Sequence, residues 1–254
     1  MREVFRSIQT LFPYLQDYRF AVKSWETMVR RKPVENDFKA IKFFKPGLNQ
    51  VFVDIGANRG LTILSMLLNR GLENKIIGFE PNPLIFEKLS KNYFIKNNGR
   101  ITVHNIGLGK TNEELTLFVP FYRKWMFDGL SSFNYDDAEG WLQTRLWKFR
   151  QKHLSIKRVV CKVKKLDGYH LNPYFIKIDV QGFEFNVLMG ARETIKRHQP
   201  ILLIESLTDK INNFLKQYDY SAYSFNSNGL EPGTGDLNTY CMTKKHYEEL
   251  SEKN

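Results

Sequence analysis

The sequence predicts a doubly wound α/β fold that holds a nucleotide-type ligand at one edge of its sheet. Two observations indicate it. Apolar, strand-like runs alternate with helical segments along 254 residues, without an internal repeat. Three of these runs also end on an acid: Asp54, Glu80 and Asp179. Parallel strands bring their carboxyl ends to one edge, so we expect the three acids to border one ligand site.

The first strand and its turn lie in residues 51–60, VFVDIGANRG. Gly56 and Gly60 allow a tight turn and close approach of the backbone to a ligand. A dinucleotide site uses G-x-G-x-x-G, whereas here the glycines are four residues apart and follow Asp54. A carboxylate at that place repels a pyrophosphate but suits an ammonium or a sulfonium, which favours S-adenosylmethionine. The alternative is that any tight strand-to-helix turn needs glycine.

The next elements extend this pattern. The first helix is predicted from Leu61 to Asn69, ending at Gly71. Residues 75–80, KIIGFE, form a second strand, and Glu80 is placed to accept hydrogen bonds from both ribose hydroxyls. A helix from Leu84 to Lys96 and a third strand, ITVHN at 101–105, follow. The glycine-rich loop after that strand is expected beside an adenine ring.

Residues 1–47 are predicted to form a helical cap, and residues 48–254 a single domain with an insertion at about 120–156. The insertion is rich in aromatic residues, which suit sugar rings or an apolar acceptor, or else pack a lid. All charged residues in 148–165 are basic. The strand 158–165 therefore has a cationic outer face, either as a protected edge strand or as a phosphate-binding surface.

The last part of the chain continues the alternation. Strands are predicted at 174–180, 200–205, 220–225 and 237–242, with helices at 184–197 and 209–217. A glycine-rich turn at 228–235 separates the last two strands.

The net charge of +11 favours acidic partners, such as nucleic acid, anionic lipid or a phosphorylated carrier. Two cysteines far apart indicate neither a zinc site nor a disulfide framework.

No apolar run is long enough to span a bilayer and no signal peptide is evident, so a cytoplasmic protein is expected. The apolar residues of 4–15 recur at helical spacing beside Arg2 and Arg6. This helix either packs on the domain's own flank or rests on an anionic membrane.

An ordered set of motifs resembles the FkbM-type S-adenosylmethionine-dependent methyltransferases. The set is VFVDIGANRG, GFEPNP, NIGLG, GLSSF, KKLDGY, IKIDVQGFEFNVLMGA and QPILLIES. The resemblance implies a class I methyltransferase (Rossmann-like) fold, with seven strands and the last one antiparallel. It also implies O-methylation of a hydroxyl, commonly on a sugar of a glycan, a glycolipid or a natural product.

Carried over by position, the resemblance assigns residues to the cofactor and to the reaction. The cofactor-binding positions are Asp54, Gly56, Asn58, Gly60, Glu80 and Asn105. Asp179 and Glu184 match a D-x-x-G-x-E element, in which this chain has Gln181 where many relatives carry glutamate.

An attacking hydroxyl must lose its proton, so a base near the methyl group is expected. Asp179 is the first candidate for this base, with Glu184 and Glu205 as its neighbours. Three acids at one rim could instead hold a divalent metal, although none is predicted. Glu184 has a simpler explanation as an acid at a helix N-terminus.

Two other functions are weighed. The positive charge suits an RNA methyltransferase, but the sequence after Asp179 lacks the Pro-Pro-aromatic step of amine methylation, so nucleic acid is not the predicted acceptor. A binding module with a decayed site is disfavoured, because Asp54, Glu80 and Asp179 are all present.

Overall fold

The computed structural model describes residues 2–68 and 73–251 of the chain. The N-terminal segment has two helices, α1 (Arg2–Gln9) and α2 (Leu15–Arg30), and a 3-10 helix, Asn36–Phe43. The next elements are β1 (Val51–Ile55), α3 (Leu61–Leu67), β2 (Ile76–Phe79), α4 (Pro83–Lys91), α5 (Tyr93–Lys96) and β3 (Ile101–His104). Gly71, the predicted end of the first domain helix, lies outside the described residues.

The middle of the chain has β4 (Gly107–Leu108), β5 (Glu113–Tyr122), β6 (Trp125–Met126), α6 (Tyr135–Gly140) and β7 (Leu154–Lys164). The last part has β8 (Pro173–Ile178), α7 (Glu184–Met189), α8 (Arg192–His198), β9 (Ile201–Glu205), α9 (Asp209–Lys216), β10 (Tyr220–Asn226), β11 (Gly229–Pro232), β12 (Asn238–Thr243) and α10 (Lys244–Ser251).

The main sheet has the order β11-β10-β12-β9-β8-β1-β2-β3. From β3 to β9 neighbouring strands are parallel, while β12 runs antiparallel to both β9 and β10. The doubly wound fold with an antiparallel last strand is therefore confirmed. Chain connections leave in opposite directions on the two sides of β1, so the switch point lies beside the carboxyl ends of β1 and β8.

The described part of this sheet has one strand more than the predicted seven. The extra strand is β11, which lies in the segment predicted as a turn and pairs with β10 from Asn226↔Gly229 to Tyr223↔Pro232. Gly229 has a φ of 109°, which lets the chain reverse, and Leu230 is buried against the core. Burial of Leu230 makes this segment part of the sheet.

Two predicted helices are each divided into two. Asn92 is extended and its side chain accepts a hydrogen bond from the Phe94 amide, so it ends α4 and caps α5. The division between α7 and α8 follows Gly190, where a Cβ would lie 1.9 Å from the carbonyl oxygen of Gly109. The carboxylate of Asp167 accepts the amides at the start of α8, which supplies a new cap.

A second sheet has the order β4-β7-β5-β6. Its main feature is a long antiparallel pair in which β5 and β7 are in register from Glu113↔Val163 to Tyr122↔Leu154. The pair encloses residues 123–153, which make up most of the predicted insertion. In β7, Cys161 and Val163 are buried while Arg158, Lys162 and Lys164 are exposed, so the predicted cationic outer face is present.

The N-terminal helices expose most of their apolar residues, so the expectation that the apolar residues of 4–15 pack on the domain is not met. Phe5, Ile8 and Leu11 are exposed, as are most apolar residues of α2, whereas Phe20 and Met28 are half-buried. The residues that α2 buries are instead polar: Gln16, Ser24 and Thr27. Gln16 explains part of this arrangement, because its amide donates to the Met126 carbonyl at 2.7 Å.

Gly56 joins the first strand to the loop after β8. Its φ is 84°, and a Cβ at this position would lie 1.8 Å from the backbone carbonyl oxygen of Asp179. We expect Gly56→Ala to lower the free energy of unfolding by about 3 kcal/mol, since it adds backbone strain to a clash with main chain. Gly99→Ala is the matched control: its Cβ would meet nothing within 4 Å. Urea unfolding measures both, and equal stability of the two variants would contradict the close approach.

Candidate cofactor and acceptor site

A cleft lies at the carboxyl ends of β1, β2 and β8. Four of the predicted site residues line it: Gly56, Asn58, Glu80 and Asp179. Its other walls come from the loop at Gly107 and from residues 128–133 of the segment between β5 and β7. The strand ends therefore bring the cofactor loop, the ribose acid and the candidate base to one place, as their sequence positions predict.

Glu80 holds the turn of this cleft together. One carboxylate oxygen accepts the Asn58 amide and the other the Asn82 amide, each at 2.8 Å. Burial raises the pKa of Glu80 to about 7, although the two amides act in the opposite direction. Each oxygen keeps a second lone pair for a ligand. Glu80 is thus suited to accept hydrogen bonds from sugar hydroxyls, and more so when it is ionised.

Asp54 and Asn58 carry polar atoms that have no protein partner. The Oδ1 atoms of both residues are buried without a hydrogen bond. The other Asp54 oxygen accepts the Thr62 hydroxyl. Burial raises the pKa of Asp54 to about 6, against the effect of the nearby Lys177 ammonium. Unpaired buried acceptors are costly unless a ligand donates to them, so these atoms fit a cofactor that carries an ammonium and hydroxyls.

Besides the fully buried Asp54, two more predicted cofactor residues, Gly60 and Asn105, lie behind the cleft rather than in its lining. A Cβ on Gly60 would meet Ile95 at 2.2 Å, so this glycine allows α3 to pack on α5. The Asn105 amide donates to the carbonyls of Glu80 and Pro81, at 2.9 and 3.2 Å. Asn105 therefore fixes the backbone after β2.

Lys177 was missed by sequence reasoning. It is 1% exposed and its Nζ lies 2.9 Å from Asp179 Oδ2. Burial alone would lower its pKa, but the carboxylates of Asp179, Asp54 and Glu35 raise it. Lysine inside an apolar strand is an unusual residue that could have signalled this pair. The Lys177 ammonium thus pairs with Asp179 and also acts electrostatically on Asp54 of β1.

Asp179 and Glu205 form a second unit, joined by Gln181. The Gln181 amide nitrogen donates to Asp179 Oδ1 at 2.9 Å and to Glu205 Oε2 at 3.0 Å. Burial would raise the pKa of Asp179, but Lys177 and its hydrogen bonds hold it well below its usual range. Burial and the neighbouring Asp179 raise the pKa of Glu205. Glu205 is therefore the more basic member of the pair, and the glutamine at 181 connects the two carboxyl groups.

Glu184 has a different environment. Its Oε1 accepts the amides of Val180 and Gly182 at 3.2 and 3.0 Å, which fixes the loop after β8. Together with Glu205 it lines a wider cleft of about 910 Å³ that adjoins the first one at Gln181 and Gly129.

A metal at this rim would have to displace one cation and several neutral hydrogen-bond donors from the carboxylates. Asp179 has its two oxygens on Lys177 and Gln181, and Glu184 is directed to backbone amides. Within residues 2–68 and 73–251, no group of three or more His, Cys, Asp or Glu side chains could hold a metal ion.

Arg59, inside the glycine loop, connects three parts of the fold. It is 6% exposed and lies 2.6 Å from both Asp128, in the wall of the cleft, and Asp17 of α2. Its guanidinium also lies 4.4 Å from the centre of the Phe20 ring. The N-terminal helices are thereby fixed to the cofactor loop and to the segment between β5 and β7.

We expect Arg59→Met to lower the free energy of unfolding by about 3 kcal/mol, because it leaves Asp128 nearly buried without its cation. Lys88→Met is the control, since Lys88 pairs with the exposed side of Asp17 and should cost less than about 1 kcal/mol. Urea denaturation followed by far-UV circular dichroism gives both values. Similar losses for the two variants would contradict a structural role for the buried ion pair.

Comparisons with known proteins indicate the family of the chain. The model of the "Methyltransferase FkbM domain" family matches residues 54–222. A solved structure described as methyltransferase FkbM from Methylobacillus flagellatus KT is similar, with 20% identity, a TM-score of 0.51 and 85% of the present chain covered. The present chain spans 47% of that chain's length. No curated protein matches the chain.

Other solved structures are similar at a lower level. One is an rRNA methylase from Streptococcus thermophilus, with 12% identity, a TM-score of 0.44, and 84% of this chain and 96% of that chain covered. Another is Aeropyrum pernix fibrillarin in complex with S-adenosyl-L-methionine, with 12% identity, a TM-score of 0.42, and coverage of 82% and 74%. Neither is similar enough to indicate an acceptor. The match of the family model over most of the domain shows that the chain belongs to the FkbM methyltransferase family, and so to the S-adenosylmethionine-dependent methyltransferases.

Proposed function

We propose that this protein transfers a methyl group to a hydroxyl oxygen of a saccharide. The observation that carries the proposal is the position of the carboxyl pair Asp179–Glu205, which lies between two adjoining clefts. One cleft is suited to the cofactor and the wider one to an acceptor. A base that faces both is what methylation of an alcohol requires.

The first cleft holds the cofactor. Glu80 accepts hydrogen bonds from the ribose, while Gly56 keeps the loop free of side-chain atoms, and Asn58 and Asp54 offer their unpaired oxygens. When bound there, S-adenosylmethionine supplies an electrophilic methyl group and leaves as S-adenosylhomocysteine.

The carboxyl pair takes up the acceptor's proton. The deprotonated pair would take the proton that the acceptor hydroxyl loses as the methyl group leaves sulfur for its oxygen, and Glu205 is the more basic member. Lys177 keeps Asp179 ionised, and Gln181 donates a hydrogen bond to each of the two carboxyl groups, which favours their deprotonated form. Glu184 acts as a positioning residue through the loop backbone.

The lining of the wider cleft suits a sugar. Trp141, 38% exposed, offers an aromatic face, and Thr208, Asn186 and Ser206 supply groups that bond to hydroxyls. Two cations, Arg145 and Lys210, lie over the Trp141 and Phe185 rings at 3.7 and 3.9 Å from the ring centres. These two cations suit an acidic group or a phosphorylated carrier on the acceptor, while Asp137, Glu184 and Glu205 in the same lining suit the hydroxyls of a neutral sugar.

The test is methyl transfer from S-adenosylmethionine labelled in the methyl group. Neutral oligosaccharides, uronic-acid oligosaccharides, glycolipid extracts and total RNA are offered separately, with Glu205→Gln as the inactive control. Label in a saccharide as a base-stable ether supports the proposal. Label confined to RNA would overturn it and establish the alternative acceptor.

The place of action is a second part of the proposal. No helix in the described part of the chain is both long and apolar enough to cross a membrane. We propose that the protein instead associates with a membrane at its surface, through the helices discussed next.

A further inference from the structure

The helices α1 and α2 present an apolar surface to solvent. Its largest members are Phe5, Tyr14, Tyr18 and Trp25, each more than 60% exposed. Smaller apolar residues lie between them, namely Ile8, Leu11, Phe12, Leu15, Val22 and Val29. Single exposed apolar residues are ordinary, but a continuous surface of this size on two helices indicates an interaction site.

In α2 the usual arrangement of an amphipathic helix is largely reversed: polar side chains are buried against the domain, and most apolar side chains face solvent. α2 turns Gln16, Ser24 and Thr27 toward the domain, and its exposed face carries the aromatic residues. A groove of about 450 Å³ runs between the helices and is almost wholly apolar in its lining, with Trp125 from β6 among its residues. Since Arg59 fixes α2 to the cofactor loop, this surface is a firmly held part of the fold.

Charge indicates which partner fits. Arg19 and Lys23 line the apolar groove. Of the acids on α2, Asp17 is paired with Arg59 and Lys88, and Glu26 with Arg30. Aromatic and aliphatic side chains with cations among them are the composition of helices that lie in the headgroup region of a bilayer.

We infer that the α1–α2 surface docks on an anionic lipid bilayer. Tyr and Trp have an apolar ring and a polar group, which suits the boundary between headgroups and acyl chains. The cations add attraction to anionic lipids. This inference does not depend on the identity of the methyl acceptor.

The position of the surface gives docking a consequence for the enzyme. The Ser7 hydroxyl donates to the Trp147 carbonyl at 3.2 Å, and the Arg6 guanidinium to the Arg145 carbonyl at 3.4 Å. Arg145 and Trp141 line the wider cleft. A docked molecule therefore holds its acceptor cleft close to the bilayer, where a lipid-linked saccharide would be within reach.

The test is flotation with vesicles. We expect the protein to bind vesicles of phosphatidylcholine with 30% phosphatidylglycerol, about tenfold more weakly in 500 mM than in 50 mM NaCl. Phe5→Ser/Trp25→Ser should weaken binding by about tenfold or more, because two aromatic rings that would enter the bilayer on docking are lost. Arg19→Gln/Lys23→Gln should reduce binding to these vesicles and leave the weak binding to pure phosphatidylcholine unchanged.

Leu48→Ser is the matched control, because Leu48 is 94% exposed and lies outside the α1–α2 surface. Calorimetry with S-adenosylmethionine confirms that each variant keeps its fold and its cofactor site. Absence of vesicle binding by the folded wild type at 50 mM NaCl would overturn the inference. So would a stable dimer, by light scattering, that Phe5→Ser/Trp25→Ser dissociates, since a second copy would then cover the surface.

Discussion

Glu80→Gln is expected to weaken S-adenosylmethionine binding by about 100-fold. In the wild type, each carboxylate oxygen accepts one backbone amide of the turn and remains available to a ribose hydroxyl. The glutamine places an NH₂ group against one of those amides, so one loop hydrogen bond and one ligand acceptor are lost together. Two bonds to a charged group amount to about 3 kcal/mol, which corresponds to about a hundredfold change. Isothermal calorimetry measures the Kd for S-adenosylmethionine of both proteins.

Glu87→Gln is the control, because Glu87 is an exposed residue of α4 that pairs with the exposed Lys91, away from the cleft. The pH dependence gives a further check. Burial raises the pKa of Glu80 to about 7, so its carboxylate becomes protonated as the pH falls through 7. Cofactor affinity should therefore decrease from pH 8 to pH 6 in the wild type, with a smaller change in Glu80→Gln. Equal affinities of the two proteins at pH 8 would rule out the ribose role.

Glu80 should affect stability in the opposite direction to cofactor affinity: its contribution to the free energy of unfolding should decrease as the pH rises. The pKa of Glu80 is about 7 in the folded protein and near the ordinary 4.5 in the unfolded chain, so the folded state binds the proton more tightly. The contribution of Glu80 to stability is complete below about pH 4.5 and is lost as the pH rises through 7. The carboxylate that serves the ligand therefore destabilises the protein without it.

The sequence was sufficient to place the strand ends. Asp54, Glu80 and Asp179 each follow an apolar run, and parallel pairing necessarily brings such ends to one edge. Side-chain partners depend on packing between distant segments, which periodicity does not describe. The contact of Arg59 with Asp17 and Asp128 spans 42 and 69 residues, and the turn pattern around Gly56 and Gly60 gives no indication of it.

The helices show the same difference between what a local pattern predicts and what contacts with distant segments determine. The apolar spacing of residues 4–15 predicted one helix, but the structure ends α1 at Gln9 and begins α2 at Leu15. Apolar periodicity also identifies a face and does not say what covers it. The divisions at Asn92 and Gly190 were missed for another reason. Asn92 bonds to Ser24 of α2 and Gly190 packs against Gly109, so each break is specified by a partner far away in the chain.

Glu205→Gln is expected to lower kcat for methyl transfer by about 100-fold or more, while the Kd for S-adenosylmethionine changes less than twofold. The amide keeps the size of the side chain and its contact with Gln181, but it cannot accept the proton of the acceptor hydroxyl. Glu249→Gln, a charge change on α10 away from both clefts, is the control. A fall in cofactor affinity that parallels the loss of kcat would instead place Glu205 in the cofactor site.

The pH profile separates a base from a residue that only shapes the cleft. The pKa of Glu205 is raised by burial and by Asp179, so the wild-type rate should increase with pH at values well above the range of an ordinary carboxylate. In Gln181→Met, Asp179 loses an amide that helps to hold its pKa down, so the pair retains its proton more tightly. The rising limb of the rate should then move to higher pH, with a maximal rate close to that of the wild type. A lower maximal rate without a shift of the rising limb along the pH axis would assign Gln181 to acceptor binding. Another group would then have to take up the proton of the acceptor hydroxyl.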